Sequence, residues 1–277
     1  METSNTDHER WYSQGASLGA LGRYEEAIAA FDEAIAIKPD DCEAWYYKGI
    51  SLGALGRQEE AVAAFNEVTR LKPEDYEAWY YKGIGLSTLG RHEEAVAALD
   101  EVIRLKPDDY DAWHLKGTSH DSLGHLEEAV ASYEEAIKLK TDHPEAWFNK
   151  GVALTALERH EEAAAAYEEA LKAQPDYCAA WFNKGGALIA LGRHEEAIKA
   201  LDEALRLNAD YHEAWYAKGF AQATLGRHEE ALDSFDKAIH IRPDYQEAWY
   251  AKGATFEQLG RKEDAAAAYA KALGGES

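Results

Sequence analysis

The sequence has no long apolar run. No apolar segment approaches the roughly 18 residues that a membrane-spanning helix requires, and none near the N-terminus has the form of a signal peptide. We therefore expect a chain that neither spans a membrane nor is secreted.

Basic residues are scarce. Lys and Arg number 29 against 52 Asp and Glu, which gives a formal net charge of −23. A protein that binds nucleic acid or an anionic membrane needs clustered Lys and Arg to displace counterions from phosphates. The charge therefore argues against both classes of partner and favours a protein or peptide that carries basic residues.

Cysteine is also nearly absent, with Cys42 and Cys178 as the only two. They occupy the same position of the repeat described below, four repeats apart. In a stacked array this separation far exceeds the roughly 7 Å between Cα atoms that a disulfide tolerates. We expect reduced thiols, as in a cytoplasmic protein.

The eight tryptophans, by contrast, recur every 34 residues. They are Trp11, Trp45, Trp79, Trp113, Trp147, Trp181, Trp215 and Trp249. A glycine follows each tryptophan by four positions and an alanine follows it by sixteen. A fixed period of roughly 20 to 50 residues is typical of stacked arrays whose units cannot bury their apolar faces alone. We predict one solenoid over residues 8–277, after an N-terminal tail of residues 1–7.

Each repeat has the pattern of a helical hairpin. In residues 42–75, apolar side chains at helical spacing predict a first helix of about 13 residues that ends at Gly56. A second apolar stripe follows and stops before Pro73. Asp40 lies three positions before Glu43, the spacing of a capping box, so Asp40 is the predicted N-cap. The repeats are 8–41, 42–75, 76–109, 110–143, 144–177, 178–211, 212–245 and 246–277.

The period resembles that of the tetratricopeptide repeat family over essentially the whole chain. The resemblance is carried by Trp45, Gly49, Ala61, Phe65 and Pro73 and by their counterparts in the other repeats. It implies an all-α fold, a right-handed α-solenoid superhelix of stacked antiparallel helix pairs. It also implies a concave groove that binds peptides or proteins.

Two columns depart from the family pattern. Lys48 and its counterparts stand where the family usually has Leu, and we expect their stems to pack along the hairpin with the ammonium groups in solvent. The proline column is lost at Thr141 and Ala209, and Pro144 lies three positions after Thr141, which predicts an altered joint between the fourth and fifth repeats.

The residue after each tryptophan lines the groove, according to the resemblance. From the second repeat on, this column holds Tyr46, Tyr80, His114, Phe148, Phe182, Tyr216 and Tyr250. Aromatic side chains in a groove are typical of binding hot spots. The alternative is that these rings shield the joints between first helices. Asn149 and Asn183, one position further on, either pair with the backbone of an extended peptide or are simply solvated.

No pattern in the chain indicates catalysis. There is no glycine-rich phosphate loop and no Ser, His and Asp arrangement. The histidines of the turns, such as His92 and His160, belong to different repeats, which lie about 10 Å or more apart, so they are too far from one another to share a metal ion. His114, Thr118 and Asp121 share a face of the fourth repeat, where a polar patch is favoured over a metal site or an acid–base pair. We predict a protein that is not an enzyme and has neither cofactor nor metal.

Two functions remain open. The first is an interaction scaffold that binds a partner segment in an acidic, aromatic-lined groove. The second is a self-assembly module that forms homo-oligomers through an apolar stripe at the C-terminal end of the array. The residues expected to face solvent in that stripe are Ala265, Ala266, Tyr269, Ala272 and Leu273.

Overall fold

The computed structural model describes residues 2–274, with side chains over residues 6–274. It contains two compact units, Met1–Thr141 (unit 1) and Asp142–Ser277 (unit 2). Over the described residues every regular element is a helix, so the fold is an all-α helical-repeat solenoid. The boundary between the units falls at Thr141, one of the two positions, with Ala209, where the repeat loses its proline.

Each repeat contributes two helices, a first helix with an odd number and a second helix with an even number. Unit 1 holds α1 (Glu2–Ala20), α2 (Tyr24–Ile37), α3 (Cys42–Ala54), α4 (Gln58–Leu71), α5 (Tyr76–Thr88), α6 (His92–Leu105), α7 (Tyr110–Ser122) and α8 (Leu126–Leu139). Unit 2 holds α9 (Pro144–Ala156), α10 (His160–Ala173), α11 (Cys178–Ala190), α12 (His194–Leu207), α13 (His212–Thr224), α14 (His228–Ile241), α15 (Gln246–Gln258) and α16 (Lys262–Ala272). None of these helices combines the length and the apolarity needed to cross a bilayer.

Residues 2–7, which the sequence assigns to a tail before the repeats, form the start of α1. No glycine or proline interrupts these residues, so the helix continues upstream of the repeat pattern.

Small residues let the helices approach closely within each unit. Gly49 of α3 lies under the ring of Phe65 in α4, so close that an added Cβ would stand 2.8 Å from a ring carbon. Ala44 of α3 and Ala78 of α5 are fully buried, and each lies in the first turn of a helix that packs on the preceding second helix. The Gly and Ala columns of the sequence are therefore contact points between helices.

The turn inside each hairpin needs a left-handed residue. Gly56 has φ of +74°, and the N–H of Arg57 donates to the Leu52 carbonyl at 3.0 Å, which closes the end of α3. A glycine takes this place in seven repeats, but the fifth repeat has Glu158, with φ of +59°. A side chain in this conformation is strained because its Cβ crowds the following carbonyl.

Replacement of Glu158 by Gly should therefore stabilise the protein. We expect Glu158→Gly to raise the free energy of unfolding by about 1 kcal/mol, the size of the left-handed penalty. The reverse change in the next repeat, Gly192→Glu, should lower it by a similar amount. Denaturant melts followed by circular dichroism measure both variants, and a destabilised Glu158→Gly would contradict the strain.

The N-cap of α3 is Asp41 and not the predicted Asp40. The Asp41 carboxylate accepts the backbone N–H groups of Glu43 and Ala44 at 3.1 and 3.3 Å, and it also lies 2.5 Å from His8 Nε2 in a buried pair that joins α1 to α3. The helix begins one residue later than the acid spacing suggests. Its N–H groups are consequently within reach of Asp41.

The ammonium groups of the lysine column lie at the surface, where neighbouring side chains also bind them. The Lys48 ammonium lies 5.0 Å from the centre of the Trp45 ring and 2.6 Å from Asp32 of the preceding second helix. In unit 2, Lys218 contacts Trp215 and Asp202 in the same way. The negative face of the indole and the neighbouring carboxylate together hold the charge near each joint.

Candidate functional site

The ring that follows each tryptophan lies against its own hairpin. Tyr12 of α1 is 6.2 Å from Phe31 of α2, and Tyr46 of α3 is 5.9 Å from Phe65 of α4, measured between ring centres. The same contact joins His114 to Tyr133, Phe148 to Tyr167, Tyr216 to Phe235 and Tyr250 to Tyr269. The rings of this column are half-buried, apart from the exposed Tyr250. Most of them offer a ligand only part of their surface.

Unit 1 carries a continuous ladder of tyrosine rings on its first helices. Tyr47 stacks on Phe31 at 6.3 Å and 18°, and Tyr81 stacks on Phe65 at 5.6 Å and 15°. Tyr46 lies between them and meets both tyrosines edge-on, at 5.4 and 6.0 Å. Tyr47 and Tyr81 are 43% and 38% exposed, more than the other rings of the ladder. The site predicted from the sequence omits these two residues. Their column changes along the chain, from Tyr in the second and third repeats to Asn and then Ala in the later ones.

Acidic side chains hold two hydroxyls of the ladder. Tyr12 Oη donates to Glu43 at 2.8 Å and Tyr46 Oη donates to Glu77 at 3.3 Å, so each bond joins the first helices of consecutive repeats. Burial, assisted by the neighbouring glutamate, raises the pKa of Tyr12 and of Tyr46 well above the usual range. The hydroxyls stay protonated, and the carboxylates bring negative charge beside the rings.

Unit 2 closes the corresponding joints with other rings. A tyrosine at the start of a first helix lies against the aromatic ring of the preceding first helix. The pairs are Phe148–Tyr177 at 4.8 Å, Phe182–Tyr211 at 4.7 Å and Tyr216–Tyr245 at 5.3 Å. The positions that hold Tyr47 and Tyr81 in unit 1 hold Asn149, Asn183, Ala217 and Ala251 in unit 2. In unit 2 the tyrosines at the starts of the first helices fill these joints, and the column contains only polar or small residues.

One of the two asparagines is bonded within its own helix. Asn183 Nδ2 donates to the Ala179 carbonyl at 2.9 Å, one turn back in the same helix. Asn149 and Asn183 are both half-buried. One N–H of Asn183 is therefore already bonded within α11.

The polar residues of the fourth repeat are engaged with the helix and with one another. His114 stacks on Tyr110 at 5.8 Å and 7°, and Thr118 Oγ1 donates to the His114 carbonyl at 3.1 Å. Burial raises the pKa of Asp121 and lowers the pKa of His120. Among the described residues there is no group of three or more His, Cys, Asp or Glu side chains placed to hold a metal ion.

The apolar stripe of α16 is only partly open. Ala265 is 2% exposed because it packs on Phe256 of α15, so its expected exposure to solvent is wrong. Tyr269 and Ala272 are half-buried, and Ala266 and Leu273 are exposed, Leu273 at 87%. Ala265 faces α15, whereas Ala266 faces away from it.

A cavity of about 690 Å³ in unit 2 is lined by residues of α13, α14 and α15 and by Ala272 and Leu273 at the end of α16. Tyr216, Phe220, Phe235 and Tyr250 supply its aromatic walls, and Ala251 is among its small lining residues. The aromatic column of the sequence predicts Tyr216 and Tyr250 as site residues but not Phe220, which is 45% exposed and has no aromatic counterpart at its position in the other repeats.

The family model that matches this chain is that of the tetratricopeptide repeat. It matches residues 12–75, 48–110, 114–177, 156–210, 182–246 and 240–277. No curated protein matches the chain.

Solved structures share the fold. YrrB, described as a tetratricopeptide repeat protein with an unusual peptide-binding site, is 25% identical with a TM-score of 0.64, over 69% of this chain and 98% of YrrB. MamA is 23% identical with a TM-score of 0.56, over 57% of this chain and 92% of MamA. The MamA fragment from residue 41 to the end, from Desulfovibrio magneticus RS-1, is 24% identical with a TM-score of 0.58, over 62% of this chain and 97% of the fragment.

Proposed function

The chain belongs to the tetratricopeptide repeat family, and from that premise we propose that it is a non-catalytic scaffold that binds a segment of a partner protein on the face of its first helices. Members of this family are typically interaction modules. The peptide-binding site described for YrrB supports the same role for this chain.

The observation that carries the proposal is the tyrosine ladder of unit 1. Neighbouring rings from Tyr12 to Tyr80 lie within 5.4 to 6.3 Å of one another across three first helices. Rings already held by their neighbours lose little side-chain entropy when a partner contacts them, so they bind at low cost. Tyr47 and Tyr81 present the largest ring surfaces to such a partner.

The acids of the ladder favour a partner with basic residues. Glu43 and Glu77 lie beside the rings as hydrogen-bond acceptors, and the chain as a whole carries a formal charge of −23. A Lys or Arg of the partner would meet these carboxylates while its apolar neighbours contact the rings. Such binding weakens as salt screens the charges.

Removal of the two exposed rings should weaken the binding of the partner. We expect the double variant Tyr47→Ala, Tyr81→Ala to lose at least about tenfold in affinity, because each ring is a candidate hot spot. The partner is first isolated with the immobilised wild-type chain from its native lysate, and its affinity is then measured by calorimetry at two salt concentrations.

The matched control for this test is Leu21→Ala, which removes an exposed apolar side chain from a turn outside the ladder. Circular dichroism must show equal helical content for all variants. Equal affinities of the double variant and the control would move the binding site away from the ladder.

The second candidate function is self-assembly through α16, favoured by the exposure of Leu273 and Ala266. A head-to-tail stack in the register of the repeats is disfavoured, because Arg10 stands where Ala44 and its counterparts are buried against the preceding repeat. The other mode of self-assembly is a contact between two α16 helices about a two-fold axis. Sedimentation of the purified chain separates the functions, since a scaffold alone sediments as a monomer.

A further inference from the structure

Unit 2 contains two arginines that each lie over an aromatic ring beside a carboxylate. The two sets are Arg261 with Phe256 and Asp264, and Arg242 with Tyr245 and Asp244. The guanidinium carbon is 4.4 Å from the ring centre in the first set and 5.3 Å in the second, and Nε donates to the carboxylate at 2.7 and 3.3 Å. The ring and the carboxylate both attract the cation. An aromatic ring with a carboxylate beside it thus holds an arginine side chain in this protein.

Unit 1 places the same two groups on consecutive first helices. Tyr47 follows Glu43 by four positions in α3, and Tyr81 follows Glu77 by four positions in α5. Residues four apart are neighbours on one face of a helix, so the ring and the carboxylate of each pair lie side by side. All four residues are exposed, the two tyrosines at 43% and 38%. Both pairs are therefore accessible to a partner.

The basic residues around these pairs have contacts of their own. The lysines and arginines of α1, α3 and α5 each lie over the ring of their own tryptophan, and they are Arg10, Lys48 and Lys82. The lysines that end α4 and α6 pair with aspartates at the start of the next helix, as Lys72–Asp75 and Lys106–Asp109. Glu43 and Glu77 accept tyrosine hydroxyls, and a carboxylate has further lone pairs that can accept a guanidinium. The two glutamates can thus bind a cation from a partner.

The distance between the two exposed rings sets the spacing of the groups they can bind. Tyr46 lies between them, 5.4 Å from Tyr47 and 6.0 Å from Tyr81, so the exposed rings are no more than the sum of these distances, about 11 Å, apart. Side chains three residues apart in a polyproline II segment lie on the same side, about 9 Å from each other. Two side chains at this spacing reach both rings.

We propose that the pairs Tyr47–Glu43 and Tyr81–Glu77 bind two arginine side chains, three residues apart, from the partner segment. This inference rests on the proposed scaffold function and specifies the basic residue that the ladder selects. Each guanidinium lies against the exposed surface of the tyrosine and donates to the glutamate one turn earlier, while apolar neighbours in the partner contact the other rings. Arginine is selected over lysine because a flat guanidinium is less strongly hydrated than an ammonium group and stacks on an aromatic ring.

The test compares two peptides of equal charge. They are acetyl-Gly-Arg-Ala-Ala-Arg-Gly-amide and the same peptide with Lys in place of both Arg. Their affinities for the full chain are measured by NMR titration at low salt, where the charges are least screened. We expect the wild type to bind the Arg peptide about fivefold or more tightly than the Lys peptide, because two rings each favour the guanidinium.

Three matched double variants separate the aromatic ring from apolar contact and from charge. Tyr47→Phe, Tyr81→Phe retains both rings and should keep the preference for the Arg peptide. Tyr47→Leu, Tyr81→Leu retains apolar contact with the phenylalanines on which the tyrosines stack, and it should bind the two peptides equally. Glu43→Gln, Glu77→Gln should weaken both peptides, because it removes the negative charge beside the rings. Circular dichroism establishes that all variants fold.

Four results overturn the proposal. They are failure of both peptides to bind the wild type, equal binding of the two peptides by the wild type, a preference for Arg that survives Tyr47→Leu, Tyr81→Leu, and an unchanged affinity of the Arg peptide for Glu43→Gln, Glu77→Gln. The native partner tests the scaffold function separately. If Tyr47→Ala, Tyr81→Ala still weakens that partner, the scaffold function stands without arginine selection. If it does not, the ladder is not the binding site and both proposals are wrong there.

Discussion

Tyr167→Ala should lower the free energy of unfolding by about 3–5 kcal/mol, in the range measured for buried aromatic residues. The Tyr167 ring is fully buried in unit 2, against Gly151 and 5.8 Å from Phe148. Its hydroxyl lies 3.1 Å from Thr155 Oγ1, and burial raises the Tyr167 pKa to about 12. Truncation leaves a cavity and also removes the hydrogen bond of the hydroxyl.

The matched control is Tyr269→Ala, the same substitution at the same column of the last repeat. Tyr269 is only half-buried, and its hydroxyl donates to the exposed Glu257 at 3.0 Å. We expect it to cost about 1–2 kcal/mol, because less apolar surface leaves water when this ring packs. Denaturant melts fitted with a nearest-neighbour repeat model give both values. Equal losses in the free energy of unfolding would show that the burial of the ring does not determine the cost of its truncation.

Two glycines of α3 should respond to the same substitution with opposite signs. Gly49→Ala places a methyl group 2.8 Å from the Phe65 ring, and the displacement of that ring should cost about 1–3 kcal/mol. Gly53 is one turn further along the same helix, with no atom within 4 Å of an added Cβ. Gly53→Ala should stabilise the protein by about 0.5–1 kcal/mol, because alanine loses less backbone entropy in a helix.

Thermal and denaturant melts of the two single variants measure this difference directly. Since both changes alter helix propensity in the same way, the gap between them reports the contact of Gly49 with Phe65. A stabilised Gly49→Ala would mean that the ring moves aside without cost, and the close approach of α3 and α4 would then contribute little.

The architecture of the repeat could be read from local sequence. The 34-residue spacing of the tryptophans, the apolar stripe that begins at Ala44 and the glycine at position 56 together predicted helical hairpins, and the structure confirms them. These signals act within one or two helical turns, where periodicity and backbone preference decide the conformation. The family membership was predicted from the same columns and is confirmed.

The exposure of side chains on the surface of the array could not be predicted in the same way. The rings after the tryptophans look alike in sequence, yet Tyr46 is half-buried under Tyr47 and Tyr81 while Tyr250 is 63% exposed. The exposure of each ring depends on which side chain the following repeat places over it. For Tyr46 that neighbour is Tyr81, which belongs to the next first helix and comes into contact only when the hairpins stack.

The sequence by itself therefore determined the period, the helices, the family and the strongly acidic charge. Only the tertiary structure decided that Asp41 and not Asp40 caps α3, that Lys48 is held by Trp45 and Asp32, and that Phe220 and Tyr250 line a cavity in unit 2. Periodic patterns state which residues share a face of one helix. They do not state the distance between side chains of different helices, and that distance decides which groups pair, which are buried and which are left to bind a partner.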